Sequence, residues 1–397
     1  MRNKPQLFDY IEVRAYWIGI LNFKQNMNRI FIIIVSLFFC VHLIAQDFIH
    51  PGILHNSESL KRIKTTVAEK RQPWKSGYEL FNTDFRASCN YKMNGPYEFV
   101  SRTGSKLGES NLHKKEFEDD CLASYYNAIQ WVITGNKQHA EKSIEIMNGY
   151  SSKLKGIINR DKELMSPLCG FLIVNAAEII RYTNAGWKDG DITSFETMVR
   201  DVFYPVIENF ATFANGNWDA ACIKGMMAFG VFLNDKSMFD RAVNYYYKGE
   251  GNGRLTHYII NEVGQCQESG RDQGHTMFGL GCLAEACEVA YNQGLDLYSA
   301  ENNRLMKGFE YTAKYNLGFD VPFNEWLDRT GKYHHVKIAD QDRGNWRGVF
   351  EIALNHYHKR MKLNPFYIRM AAEKLRPEGQ PWTADHPGYG TLLFALE

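Results

Sequence analysis

The chain has 397 residues, of which 45% are hydrophobic and 14% aromatic, ample for a sizeable core, and its formal net charge is only +1. A balance so close to neutral lacks the broad basic field of a nucleic-acid binder, so an anionic ligand must be met by a local cluster of cations. Eight cysteines without a CxxC pair, and histidines at 50, 55, 334 and 335 without ligand spacing, give no metal-binding pattern, and no cofactor is expected.

In chain order, the first signal is MNRIFIIIVSLFFCVHLIAQ, residues 27–46. Asn28 and Arg29 make a short basic start, Ile30 to Phe39 an apolar run, and Ala45 a small residue near its end. That is the layout of a secretory signal, and the run is short for a membrane span. Residues 1–26 then read as an over-long extension, and the mature chain begins near Gln46 or Asp47. The expectation is a periplasmic or secreted protein with no stable membrane insertion after the signal is removed. The seven cysteines beyond the signal read as buried small hydrophobes, with at most one or two disulfides.

Helical periods dominate from there on, and strand-like alternation is nearly absent. Five segments are apolar almost all the way round: Cys121–Thr134, Pro167–Ile180, Ala220–Leu233, Met277–Tyr291 and Val349–Tyr357. Between them run amphipathic segments with charged outer faces: Lys137–Leu154, Ile192–Phe210, Met238–Lys248 and Asn303–Tyr315. A helix apolar on every side must be surrounded, and an amphipathic one can cover it. The alternation therefore predicts an all-α fold, an α/α toroid of helical hairpins with an inner and an outer ring, as one domain over 47–397. Polar starts at Asp119, Ser166, Asn217 and Glu268 recur at roughly fifty-residue steps, as stacked hairpins would. Gly135, Gly186 and Gly294 stand where helices end.

Inner helices of such a toroid run parallel, so their amino termini open at one face. That face collects Asp119 and Asp120, Asn217 and Trp218, the stretch Glu268–His275, and Arg343–Arg347. Helix amino termini carry free N–H groups and partial positive charge, which favour an anion. The sharpest local signal is QESGRDQGH, residues 267–275. Glu268, Arg271, Asp272 and His275 fall at i, i+3, i+4 and i+7, which predicts one shared helix face. Beyond His275 the sequence turns apolar on all sides, so the polar patch reads as the lining of a pocket. The other reading of the same residues is an ion-pair network tying helix ends together. Trp218 and Trp346 are placed either to stack on sugar rings or to fill core. His50 and His55 flank a Pro-Gly turn and read as structural.

Four stretches carry a resemblance: FIHPGILHN (48–56), GNW (216–218), QESGRDQGHT (267–276) and RGNWRGVFEIALNHY (343–357). Together they resemble the alginate lyase superfamily of α/α-toroid polysaccharide lyases, most closely its gut-bacterial branch acting on polymannuronate and glucuronan. The resemblance covers nearly all of the chain after Phe48. It implies an α/α barrel, no catalytic metal, an anionic polysaccharide substrate, and a site of asparagine, histidine, tyrosine and arginine. Asn217 matches the asparagine that neutralises the substrate carboxylate. Trp218 stands where better-known relatives place a histidine, and His275 where several place the catalytic tyrosine. The tyrosine must then come from elsewhere, and Tyr333 in TGKYHH is the candidate.

Elimination from a uronate needs these residue types. The C5 proton lies α to a carboxylate and is a very weak acid until that carboxylate is neutralised. A base then removes it while an acid protonates the departing O4. The expected roles are carboxylate neutralisation by Asn217 with Arg271 or Arg343, and proton transfer by His275 and Tyr333. Glu268 is expected to orient His275 or, if protonated, to bond the carboxylate, and Trp218, Trp346, Arg347 and His334 to contact substrate. Two other classes fit the same chain: an α/α hydrolase pairing Asp119 or Asp120 with Glu268 or Asp272, and a non-catalytic glycan-binding protein.

Overall fold

A computed structural model describes residues 48–397. The stretch read as a secretory signal, 27–46, and the extension before it lie outside the described residues. Two short helices come first, α1 (Ser57–Ala68) and α2 (Trp74–Phe81), then a long excursion to residue 113 containing the strand β1 (Phe99–Val100). Helical hairpins follow. The inner members are α3 (Lys114–Thr134), α5 (Lys162–Tyr182), α8 (Gly216–Phe232) and α11 (Gln273–Asn292). The outer members are α4 (Lys137–Lys153), the α6–α7 arm (Asp189–Met198 and Tyr204–Ile207, joined by a π turn), α9 (Lys236–Lys248) and α12 (Ala300–Asn316). Between α9 and α11 lies a single turn, α10 (Leu255–Tyr258), and the chain ends with α13 (Phe350–Leu354), α14 (Phe366–Leu375) and α15 (Gly390–Phe394).

Burial follows the predicted alternation. From Leu164 to Ile180 every residue of α5 is buried, and so is α11 apart from His275 and Tyr291. By length and composition α5 is apolar enough to cross a membrane, yet here it is wrapped by protein. The outer helices bury one stripe only; α9 buries Met238, Phe239, Ala242 and Tyr246. Each fully buried Leu, Ile or Phe contributes roughly 1.5–3 kcal/mol, so the inner ring carries most of the apolar stabilisation.

Side by side, α3, α5, α8 and α11 pack in sequence order. The circuit is completed through α13, which lies within the expected apolar segment Val349–Tyr357, and through α15 and α1 back to α3. Local chemistry sets the details. Gly135 ends α3 in the left-handed conformation, where a side chain would be strained. Pro167 sits inside α5 and removes the amide that would bond the carbonyl of Glu163; the buried thiol of Cys222 donates to that carbonyl instead, at 3.4 Å. All seven cysteines of the described residues are free thiols and six of them are buried.

Among the described residues, strand content is confined to two pairs of two-residue strands and two isolated bridges. Here β1 runs parallel to β2 (Gly156–Ile157), and β3 (Trp326–Leu327) pairs antiparallel with β4 (His334–His335). The second pair forms a hairpin over the amino-terminal end of the inner ring. Those two strands are too short to leave an alternating pattern in the sequence.

Candidate active site

The floor of the site is built where α8 and α11 begin. Glu268 is fully buried and holds three donors: the backbone N–H of Asn217 at 2.9 Å, the Asn217 side-chain amide at 2.7 Å and Arg271 Nη1 at 2.7 Å. The neighbouring Gln267 accepts the N–H of Gly216 at 3.1 Å. The free amides at the start of α8 are thus taken by protein acceptors rather than left for a bound anion. Burial pushes the Glu268 carboxyl above its usual range, while Arg271 and His275 pull it back.

Arg271 spans the floor. Its other terminal nitrogen, Nη2, stands 3.1 Å from His275 Nε2. An arginine only donates, so Nε2 accepts and the imidazole proton sits on Nδ1. That proton is directed to Asp272 Oδ2 at 2.7 Å, while Asp272 Oδ1 caps the helix by accepting the His275 backbone N–H at 2.7 Å. Burial works against the Asp272 carboxylate, yet the bonds from His275 hold its pKa below the usual value.

These four polar groups do come together, but not as one helix face. Asp272 is extended and starts α11, so Glu268 and Arg271 lie in the preceding turn. The expected helical spacing fails because Asp272 ends the helix backward by capping it, and the turn then brings Glu268 and Arg271 to the same place. Asp272, not Glu268, orients His275.

Over this floor lies a cleft of about 420 Å³, lined by Phe213, Trp218, Arg271, Lys332, Tyr333 and His335 among others. The hairpin that carries Tyr333 is fixed by Asp328. This buried carboxylate accepts from the backbone amides of Thr330, Lys332 and Tyr333, each at 2.9 Å, and from Asn252 Nδ2 at 2.8 Å. Its pKa is drawn down to about 2; burial opposes this, and the bonds from Thr330, Tyr333 and Asn252 outweigh it. Burial raises the Tyr333 phenol, so it keeps its proton at neutral pH, although Arg271 opposes the shift. Ala339 N–H donates to Ser269 O at 3.0 Å and Gln273 N–H to Gln341 O at 2.9 Å, stitching the chain after the hairpin to the floor. Gly270 permits this approach: a Cβ there would stand 2.4 Å from the Cβ of His335.

The model of the family described as alginate lyase matches residues 64–320, more than half of the chain. The chain belongs to the alginate lyase family. It is accordingly a polysaccharide lyase with an α/α-toroid fold. Solved alginate lyases share the fold. One from Bacteroides ovatus is 13% identical, with a TM-score of 0.59 over 88% of this chain and 100% of that one. Alginate lyase A1-III from Sphingomonas species A1 is 13% identical, with a TM-score of 0.61 over 85% and 95%. A histidine-to-alanine variant of A1-III complexed with a tetrasaccharide is 14% identical, with a TM-score of 0.58 over 85% and 94%. No curated protein matches in sequence.

Within this alginate lyase fold, the structure gathers Asn217, Trp218, Glu268, Arg271, His275 and Tyr333 but not the remaining sequence candidates. Asn217 is wholly buried beneath the floor. Arg343 is turned away: its Nε donates to Tyr315 O at 2.9 Å and its guanidinium stacks 3.9 Å from the Tyr315 ring centroid. Arg347 is buried, paired to Asp385 at 2.7 Å and bonded to Gly274 O at 2.8 Å. Trp346 packs edge-on against Phe350. His334 points off the hairpin to Glu325 at 2.6 Å, on the exposed side.

Its neighbour His335 lines the cleft instead, and two-residue strands leave no alternation by which the sequence could choose between the two histidines. Phe213 and Lys332 were missed for want of any local signal; the Lys332 ammonium donates to the Phe213 carbonyl at 3.0 Å, a contact across 119 residues. The carboxylates considered for hydrolysis are engaged. Asp120 accepts from Tyr91, Tyr150 and the amides of Asn94 and Gly95, and Asp119 pairs with Arg86 and Lys115. Elsewhere Cys282, Glu285 and His386 bring possible ligand atoms within 4.8 Å of one another, and the buried Lys224 ammonium already supplies the positive charge there by donating to Glu285.

Proposed function

We propose that this alginate lyase family member cleaves a 1,4-linked polyuronate, mannuronate-rich alginate or glucuronan, by β-elimination with Arg271, His275 and Tyr333. The observation that carries the reading is Arg271, bound on one side to buried Glu268 and on the other to His275 Nε2, beneath Tyr333. The guanidinium is a planar fork suited to a carboxylate. When a substrate carboxylate takes up Arg271, Nε2 of His275 is released as a free acceptor, already in the tautomer of a base.

The reaction then balances within the site. The C5–H bond breaks as His275 Nε2 takes the proton, and the electron pair forms the C4=C5 double bond. The C4–O4 bond breaks, and the protonated Tyr333 phenol supplies the proton that O4 needs. The imidazolium returns its proton to the tyrosinate, which resets both groups. Arg271 stabilises the enolate-like charge that grows on the carboxylate, a pre-organised electrostatic contribution. Asn217 acts from below, fixing Glu268 and so Arg271, because its full burial keeps it off the substrate. Trp218 and the Phe213 ring, 6.3 Å apart and edge-on, form the apolar wall for a sugar ring. The apolar stretch at 27–46 supports export to the periplasm or beyond.

Incubation with polymannuronate, polyguluronate, glucuronan and a glycosaminoglycan, followed by ultraviolet absorbance of the new double bond, tests the reading. Absorbance is expected with polymannuronate or glucuronan. New reducing ends without absorbance would mean hydrolysis, and binding without any cleavage would mean a glycan-binding protein.

A further inference from the structure

A second cleft, of about 390 Å³, opens at the amino-terminal end of α3. Two large aromatic rings stand in it exposed: Phe85 at 60% and Trp382 at 43%. Large apolar rings left open to water in one groove mark a contact surface, and a flat ring suits the face of a sugar. Both rings are held in place. Trp382 donates its indole N–H to the Trp346 carbonyl at 3.2 Å, and the Arg347 guanidinium lies 4.2 Å from its ring centroid. The Arg86 guanidinium, 5.5 Å from the Phe85 ring centroid, is itself clamped by Asp84.

Trp382 also lies against the start of α11. Arg347, on which it stacks, bonds the carbonyl of Gly274, the residue before His275, and a Cβ on Gly274 would stand 3.2 Å from the Trp382 ring. One wall of the second cleft thus stands beside the residue that precedes His275. The cleft's charged lining comprises Arg86, Lys114 and Lys115 beside Glu118 and Asp119, with Arg86 already held by Asp84 and Lys114 by Glu118. The side chain of Lys115 is 78% exposed, so its pairing with Asp119 is weakly held and yields to a competing carboxylate.

We infer that this second cleft is a distal subsite for the same polyuronate chain. One sugar ring stacks on Trp382 and Phe85, and Lys114 or Lys115 takes its carboxylate. The inference rests on the lyase reading and adds a length requirement: a long chain fills both clefts, and a short one fills the first alone.

The test compares kcat/KM for an oligouronate of eight sugars with that for one of three, in the wild type, Lys115→Ala, Phe85→Ala and Trp382→Ala. For the long substrate, kcat/KM is expected to fall about tenfold in Trp382→Ala and about threefold in Lys115→Ala, chiefly through KM. The ratio of long to short should collapse towards that of a site without the subsite. Equal falls on both lengths, or none, would overturn the subsite while leaving the lyase reading intact. Should Trp382→Ala fail to fold, the exposed Phe85→Ala and Lys115→Ala decide the matter. If the wild type forms no double bond on any polyuronate, the lyase reading falls. The subsite is then judged by calorimetric binding of the eight-sugar oligouronate, which Lys115→Ala must weaken if the cleft recognises a carboxylate.

Discussion

Asp272 grips His275 twice: one carboxylate oxygen accepts its backbone N–H and the other its ring Nδ1, both at 2.7 Å. The same side chain thereby starts helix α11 and chooses the imidazole tautomer. Asp272→Asn separates the two functions. Asparagine caps a helix as well as aspartate does, but its amide faces Nδ1 and moves the ring proton to Nε2. The melting temperature should change little, while turnover falls by about 10²–10⁴. Near-normal turnover would remove His275 from proton transfer.

Tyr333→Phe keeps the ring in the cleft wall and deletes the hydroxyl. Turnover should fall by several orders of magnitude with KM little changed, because the lost interaction serves the transition state. Other tyrosines are badly placed to substitute: Tyr125 is buried on His55, and Tyr315 is bonded to Asp340 at 2.6 Å. Steady-state rates of double-bond formation decide this.

Arg271→Lys keeps the charge and loses the fork. Lysine cannot hold Glu268 and His275 together while meeting a carboxylate on two nitrogens. Both kcat and kcat/KM are expected to drop by more than about tenfold, and His275→Ala combined with Arg271→Lys should cost less than the sum of the two, since they act as one unit.

The Tyr333 hairpin should open in acid before the toroid does. Asp328 has its folded pKa drawn down to about 2 by the bonds that fix the hairpin, although burial opposes the shift. A depressed carboxyl pKa contributes stability above the unfolded value, near 3.9, and loses it as pH falls through the folded one. Between pH 4 and 2 the amides of Thr330, Lys332 and Tyr333 should lose protection against hydrogen exchange while those of α11 keep it. Asp328→Ala should show the same loss at neutral pH, with a fall in kcat. Equal protection in mutant and wild type would mean that another contact holds the hairpin.

Gly270→Ala tests the fit between hairpin and floor. The added Cβ would meet His335 Cβ at 2.4 Å and the Lys337 carbonyl oxygen at 2.9 Å. The hairpin must shift, so activity should drop sharply, with a stability cost of about 1–3 kcal/mol. Thermal unfolding together with turnover measures both.

The rings of the toroid were legible in the sequence because a helix surrounded by protein must be apolar on all sides and its cover amphipathic. α5, α8 and α11 satisfy that rule almost residue by residue. QESGRDQGH was legible as a polar interruption at the mouth of a core helix, but its geometry was not: spacing alone cannot distinguish a helix that continues from one that Asp272 starts. What only the tertiary structure decided is which cations reach the cleft. Arg343, Arg347 and His334 look equivalent to Arg271 and His275 as residue types. Their partners Tyr315, Asp385 and Glu325 lie 28, 38 and 9 residues away along the chain. A charged side chain goes where its desolvation is best compensated, and that choice is made by groups far off in sequence, which no local pattern records.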